Sequence, residues 1–347
     1  MSRARTPVKP ATIKDVARVA GVSFSTVSRV VNNSKPVDEP TRLRVMQAIE
    51  ELRYVPNTLA RGLQTRQSRC LGVMLPEIGS SGAAQILEGA ESYAREAGYT
   101  LLLMTTAADT SREIECFSIM RQQQIDGVLW AAATYTDAHR AWREHHALPT
   151  VVFAQNFSSD GLPSVLVDNY HAAYDATDHL IGNGHRRIAM ITGDLNDRAV
   201  GLDRFRGFQD ALAAHGIRPD PDLVVHGDVS PHGRDTASEG SGYQAMAHLL
   251  PHRPTAVLAA SDNLAIGAMQ FILEQGLSIP GDVSVMGFDD LDIAAHPMLR
   301  LSTVAFDFYE LGVLAARTLI DALQGAEVPA VQLYPYRLVL RDTVRRL

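Results

Sequence analysis

The side chains best suited to chemistry lie in one short run, Ser23-Phe24-Ser25-Thr26-Val27-Ser28-Arg29-Val30-Val31-Asn32. On a helix, Phe24, Ser25, Thr26, Ser28, Arg29 and Asn32 form an exposed face of small polar groups with one phenyl ring and one guanidinium. An arginine can donate two parallel hydrogen bonds to a guanine edge, and an apolar group can cover a thymine methyl. That chemistry is recognition of a duplex rather than bond-making. The patterns that make and break bonds are missing: there is no Walker loop, nucleophile elbow, HExxH or Cys/His cluster at metal spacing. Cys70 and Cys116 are too few and too far apart for a disulfide scaffold or a structural zinc site. His145 and His146 are adjacent, so they do not share a helix face, and both are expected in solvent. Neither a cofactor nor a metal is expected.

The exposed face needs a scaffold, and the flanking residues describe one. Val16, Ala17 and Ala20 fall on one side of a first helix, and Val27, Val30 and Val31 on one side of a second. Gly21 stands where the first helix must end in a left-handed residue, and Ser23 is placed to cap the second. Small Ala17 and the turn glycine let the helices approach as a helix-turn-helix requires; a plain helical hairpin is the alternative. A third helix is expected over 38–52, starting near Asp38 or Pro40, with Val45, Ile49 and Leu52 turned inward. Pro56 then ends one element and Asn57 can cap a helix of barely two turns, which forms only when packed against something.

Charge divides the chain in the same place. The net charge of −7 hides a basic segment: residues 1–68 carry 12 Lys and Arg against 5 Asp and Glu, and the remainder carries 20 against 34. A basic module on an acidic core can bind phosphate through the first part only. The hydrophobic fraction of 46% fits a globular protein with a sizeable core. No apolar stretch is long enough to span a bilayer and no apolar segment follows the basic start as in a secretory signal, so a cytoplasmic location without a membrane partner is expected.

From residue 69 the pattern changes to short apolar runs: CLGVML at 70, TLLLM at 100, GVLWAAA at 127, TVVFA at 150, SVLVD at 164, RIAMIT at 187, AVLAAS at 256 and VSVMGFD at 283. Between most of them lie amphipathic stretches, such as 82–98, 111–124, 170–183 and 202–215. Alternating buried strands and helices predict parallel α/β sheets, with strands enough for two lobes and a cleft between them. In such sheets ligands bind beyond the carboxyl ends of the strands.

The run from Thr12 to Asn32, with AGVS and TVSRVVN inside it, and RYVPNTLARGL after it, closely resembles the LacI/GalR family of repressors. The resemblance extends through GHRRIAMITG at 184, RFRGFQDAL at 204, SDNLAIGAM at 261, IPGDVSVMGFDD at 279, LSTVAFDFYELG at 301 and LVLRDT at 338, and so covers nearly the whole chain. It implies a small all-α helix-turn-helix domain joined to a two-lobed α/β core of parallel sheets, like the periplasmic sugar-binding proteins. By position, Phe24, Ser25 and Arg29 would touch base edges, and Ser23, Thr26, Asn32, Tyr54 and Asn57 phosphates. Ala60 would lie in the hinge helix, and Leu63 would wedge between base pairs, unless it packs on the core as a linker residue. Arg204, Ser261, Asp289 and Phe308 would line the cleft, with Ile86, Phe153 and Phe306 beside them. A guanidinium and a carboxylate facing each other can grip neighbouring hydroxyls, and a phenyl face can stack on a sugar. Plainer roles remain open at this point: Asp289 or Asp262 as a helix cap, Arg204 as a surface ion-pair partner, and Phe306 and Phe308 as core.

Three departures bear on the ligand. Ser261 replaces an asparagine usual in the family, Ala154 stands where a ligand-touching aspartate often sits with Gln155 next to it, and the loop over 230–242 looks longer than usual. The resemblance implies a repressor of a near-palindromic DNA operator, controlled by a sugar or nucleoside-like effector. The expected domains are 1–56 for the head, 57–68 for the hinge, and 69–347 for the core. Within the core, lobe one is expected near 69–168 and 307–333, and lobe two near 169–306 and 334–347. With no heptads after Val344, a homodimer is expected rather than a tetramer. The competing readings are an enzyme and a metabolite-binding protein without specific DNA binding.

Overall fold

Thr12 starts the first element because its backbone N–H donates to Asp15 Oδ2 at 3.0 Å while its own Oγ1 accepts from the Asp15 N–H at 3.4 Å, a reciprocal cap. The computed structural model describes residues 11–32, 35–54, 67–79, 81–131, 134–226 and 239–347, and the chain separates into two units, Met1–Ser68 and Arg69–Leu347.

The first unit holds α1 (Ile13–Ala20), α2 (Phe24–Asn32) and α3 (Glu39–Glu51). Gly21 ends α1 at φ 65°, where a side chain would be strained. The Thr26 N–H donates to Ser23 Oγ at 3.2 Å and caps α2, and the Thr41 N–H donates to Asp38 at 3.1 Å and caps α3. Val16, Ala17, Ala20, Val27, Val45 and Ala48 are buried together as the core of this unit.

The second unit contains two six-stranded sheets. The first is built from β1 (Cys70–Leu75), β2 (Thr100–Thr105), β3 (Gly127–Trp130), β4 (Thr150–Phe153), β5 (Ser164–Val167) and β11 (Val331–Tyr334), in the order β11-β5-β4-β3-β1-β2 and parallel throughout. The second is built from β6 (Ile188–Thr192), β7 (Val224–His226), β8 (Ala256–Ala259), β9 (Ser284–Asp289), β10 (Ser302–Ala305) and β12 (Arg337–Val339), in the order β12-β10-β9-β8-β6-β7. Only the β10–β12 pair in it is antiparallel. The two orders match strand for strand, so the lobes are structural repeats of one another.

The helices cover the sheets as βαβ units require. Lobe one carries α4 (Ser81–Glu96), α5 (Thr110–Gln122), α6 (Asp137–His145) and, from late in the chain, α11 (Phe308–Leu323). Lobe two carries α7 (Asn169–Gly182), α8 (Arg204–Ala214), α9 (Glu239–Leu249) and α10 (Asp262–Glu274). The α4–α11 contact is backbone-close: a Cβ on Gly312 would sit 2.0 Å from the Ile86 carbonyl oxygen, and one on Gly89 would sit 2.0 Å from that of Tyr309. The chain passes between the lobes three times, at Asp168, at Phe306–Asp307 and at Pro335–Tyr336.

Four strands, β7, β10, β11 and β12, come in addition to the eight apolar runs read from the sequence. Three of them sit at sheet edges and bury too little to leave an apolar signature. His146 departs from the solvent position expected of it: its ring is half-buried and stacked 4.6 Å from Trp142. Among the described residues no helix is long and apolar enough to cross a membrane.

Candidate functional site

Two groups of residues can act on other molecules, one in each unit. On the first, α1 and α3 bury the apolar side of α2 and leave Phe24, Ser25 and Arg29 exposed, with Thr26 half-buried. Phe24 is 46% exposed. A single exposed ring is common on protein surfaces; here it shares a rigid helix face with hydroxyls and a guanidinium. The Ser23 hydroxyl lies 2.8 Å from that of Ser25 and 2.9 Å from that of Thr26, so the start of α2 carries a small hydroxyl cluster. Tyr54 packs half-buried against the core of this unit. Asn57, Ala60 and Leu63 lie outside the described residues, as does the side chain of Asn32.

The second group gathers at the carboxyl ends of β4, β6, β8 and β9. Arg204 opens α8 and is 3% exposed, which removes the surface ion-pair reading. Its guanidinium lies 3.5 Å above the Phe288 ring. Nε donates to Asn169 Oδ1 at 2.7 Å, Nη1 donates to the Ala260 carbonyl, and Nη1 stands 3.6 Å from Asp289 Oδ1. One side chain thus ties together the start of α7, the end of β8 and the end of β9. Burial pulls the Arg204 pKa down, opposed by the charges of Asp289, Asp197 and Asp262.

Asp289 ends β9 at φ 115°, in a region that non-glycine residues enter at a cost of about 1–3 kcal/mol and that tends to mark functional sites. Burial raises its pKa to about 6 against the pull of Arg204. Asp262 is fully buried beneath the site. It accepts from Thr303 Oγ1 at 2.6 Å and from the Leu291 N–H at 2.8 Å, and burial, with the charges of Asp289 and Asp290, raises it to about 8. Neither aspartate caps a helix. Ser261 does that instead, accepting from the Leu264 N–H at 3.3 Å at the start of α10.

Across the cleft, Ala154 follows β4 at φ 61° and presents Gln155. Gln155 Nε2 donates to Asp197 Oδ1 at 2.6 Å, and its Oε1 accepts from the Ala199 N–H at 3.3 Å. A lobe-one residue therefore holds the lobe-two turn over Arg198–Asp203. Burial raises the Asp197 pKa, with the Gln155 bond opposing.

Aromatic rings continue the wall. Phe306 stands 6.4 Å from Phe288 and 4.4 Å from Phe308, whose ring lies against Gly82. Phe306 also borders a cavity of about 370 Å³ shared with Gln85, Asp307, Tyr334, Tyr336 and Arg337. A larger hollow of about 880 Å³ lies along β2 and α5, lined by Leu103, Met104, Arg112 and Ile119, away from these groups.

The structure brings Arg204, Asp289, Phe306 and Phe308 into one connected set, with Ser261 one residue beyond the Ala260 carbonyl that Arg204 holds. Phe153, 1% exposed, and Ile86 belong to the apolar core of lobe one. Sequence reasoning missed Asn169, Asp197 and Phe288, and noticed Gln155 only as a neighbour of Ala154. Polar residues just after apolar strands were the available signal.

Comparison with known proteins agrees with this division. Residues 12–57 match the family described as bacterial regulatory proteins, lacI family, and residues 177–344 match the periplasmic binding protein-like domain. The chain is 31% identical over 338 residues to catabolite control protein A of Priestia megaterium, covering 96% of this chain and 99% of that protein. It is 35% identical over 342 residues to the HTH-type transcriptional repressor CytR of Escherichia coli (strain K12), covering 97% of each. The solved lac repressor dimer bound to operator and the anti-inducer ONPF superposes with a TM-score of 0.87 at 29% identity, covering 97% of this chain and all (100%) of that one. The complex of the transcriptional regulator CelR with cellobiose gives 0.71 at 30% identity, covering 96% and 99%.

Proposed function

Because the chain belongs to the lacI family of bacterial regulatory proteins, we propose that it is a transcriptional repressor whose operator affinity is set by a small hydroxylated metabolite in the core cleft. The observation that carries this reading is the buried Arg204–Asp289 pair on the Phe288 ring, at the carboxyl ends of the lobe-two strands. Such a pair can receive adjacent hydroxyls, with the guanidinium donating and the carboxylate accepting. Phe306 and Phe308 supply an apolar face for the C–H side of a sugar or for a nucleoside ring. A CelR structure holds cellobiose, which supports a sugar as one such ligand.

On the head, Phe24, Ser25 and Arg29 read base edges in the major groove, while Ser23, Thr26, Asn32, Tyr54 and Asn57 fix the register on phosphates. Ala60 and Leu63 act at the minor groove, where Leu63 wedges between base pairs and kinks the duplex. The chain works as a homodimer on a near-palindromic operator, a reading supported by the dimer named in the lac repressor structure. The effector shifts the balance between two lobe arrangements that hold the operator with different affinity.

The test is fluorescence anisotropy on a selected palindrome, with and without sugars and nucleosides, for the natural chain and Asp289→Asn. A coupling of about 1–3 kcal/mol changes operator affinity roughly 5- to 150-fold. Asp289→Asn keeps the operator complex and loses the response. Metabolites that bind the core while operator affinity stays constant would remove the coupling from this account.

A further inference from the structure

We infer that Gln155 is a positioning residue: a clasp made by the chain itself, which holds the two lobes in one arrangement and so sets operator affinity before any metabolite acts. The clasp stands on geometry alone, and its effect on the operator rests on the regulatory reading above.

The clasp starts in the backbone. β4 ends at Phe153, and Ala154 takes φ 61°, a conformation that is costly for alanine and persists where the surroundings hold it. Beyond that turn, Gln155 is 4% exposed and bonded to lobe two. Its two hydrogen bonds have opposite sense. Nε2 donates to Asp197 Oδ1 at 2.6 Å, and Oε1 accepts from the Ala199 N–H at 3.3 Å. A carboxylate accepts and a backbone N–H donates, so the amide fits in one orientation and a flipped amide would lose both bonds. The carboxylate makes the shorter bond a charge-assisted one.

The far side is fixed without help from Gln155. Asp197 Oδ1 also accepts from the Val200 N–H at 2.8 Å and caps the turn over Arg198–Asp203. Within that turn Gly201 packs so closely on the Asp194 carbonyl oxygen that a Cβ has no room. The turn runs directly into Arg204, which is tied to Asn169, to the Ala260 carbonyl and to Asp289. Gln155 therefore grips a part of lobe two that moves with the whole lobe. Separating the lobes must break both of its bonds. The bonds at the first crossing differ in this respect: Asn169 Nδ2 to the Val167 carbonyl at 3.2 Å and the His171 N–H to Asp168 at 3.1 Å join residues two or three apart, and they survive such a movement. Bonds present in one arrangement and absent from another bias the balance between them.

The experiment combines hydrogen exchange over 197–203, read by mass spectrometry, with operator anisotropy in the absence of added metabolite. The samples are the natural full chain, Gln155→Glu, Asp197→Asn and the two changes together. Gln155→Glu keeps the size of the side chain but sets one carboxylate against another. Exchange over 197–203 should quicken roughly tenfold or more, and operator affinity should shift, up or down, by roughly fivefold or more. The double variant has one amide and one carboxylate again with their places reversed, and asparagine still caps the turn, so it should recover most of both shifts. Asp197→Asn alone keeps an acceptor for the Gln155 amide and should move both readouts less than Gln155→Glu. Natural exchange in Gln155→Glu, or a double variant as fast as the single one, overturns the clasp. Faster exchange with unchanged operator affinity is local loosening of the turn and overturns the positioning role. A natural chain that binds no operator removes the regulatory reading instead, and the exchange rates still decide the clasp.

Discussion

Replacing Arg204 by methionine is expected to cost the core about 3–5 kcal/mol, the usual consequence of removing one partner from a buried ion pair. The figure can be worked from the surroundings. At 3.6 Å from Asp289 and an effective dielectric constant of about 20, the attraction is about 4–5 kcal/mol. The charged hydrogen bonds to Asn169 and Ala260 add about 1.5–3 kcal/mol each. Desolvation of the guanidinium opposes both, and burial raises the Asp289 pKa to about 6 even with Arg204 beside it. The net is therefore well below the gross attraction. Methionine keeps the apolar stem on Phe288 but removes the cation on which Asp289, Asp197 and Asp262 all act. Asp289→Asn behaves differently. Its folded pKa of about 6 lies above the ordinary aspartate value of 3.8, so the proton-linked stability is full below about pH 4 and is lost as pH rises through 6. Asparagine has no such loss, and near pH 7 the variant should lie within about 1 kcal/mol of the natural protein or above it. Urea denaturation followed by far-UV circular dichroism gives the four stabilities of the Arg204→Met, Asp289→Asn cycle. Both tryptophans, Trp130 and Trp142, belong to lobe one, so their fluorescence reports whether that lobe follows. The double variant should recover about 1–3 kcal/mol of the Arg204→Met loss, since one orphaned carboxylate is gone. A single Arg204→Met change costing under 1 kcal/mol, or a cycle with no coupling, refutes the claim that this cation organises the lobe.

Other outcomes can be checked alongside. Arg29→Ala should weaken the operator complex by about 1–3 kcal/mol and relax preference at one base pair; a uniform loss over all sequences in a binding-site selection would make it a phosphate contact. Gly312→Ala places a Cβ 2.0 Å from the Ile86 carbonyl oxygen, which is backbone and cannot rotate away. Despite a helix-propensity gain of about 1 kcal/mol, a net loss of about 1–3 kcal/mol is expected in thermal or urea melts, and unchanged stability would deny the close α4–α11 contact. For Asp262, a folded pKa of about 8 means stability that is present below pH 4 and lost progressively as pH rises to 8. Asp262→Asn should therefore gain on the natural protein between pH 5 and 8.5; parallel curves would show that the aspartate stays ionised.

Strands that sit inside a sheet were legible because burial on both faces leaves continuous apolar runs, as in Cys70–Leu75 and Ile188–Thr192. Val224–His226 and Arg337–Val339 were not, since an edge strand of three residues carries no such run. In the cleft, Arg204 and Asp289 were placed by resemblance, and their mutual contact is a fact of tertiary structure. The Gln155–Asp197 bond joins residues 42 apart in sequence, and no local pattern encodes it. The left-handed backbone at Ala154 and Asp289 was equally hidden, because neither residue type asks for it. Ser261 shows the opposite limit: by resemblance it is a cleft residue, with Asp262 or Asp289 as the possible cap, although a serine just before a helix is itself a cap signal and its hydroxyl fills that role.

The three passages between lobes run from adjacent strands, β5 and β11 in one sheet and β10 and β12 in the other. Sliding one lobe along the other would have to stretch trans peptide links whose Cα spacing is fixed near 3.8 Å. Tilting needs only small backbone rotations in a handful of residues along one edge. Tilting about that edge is therefore softer than sliding, and a group in the cleft would act at a distance from the crossings. The quantity it sets is an angle, largest in effect at the point farthest from the line of crossings.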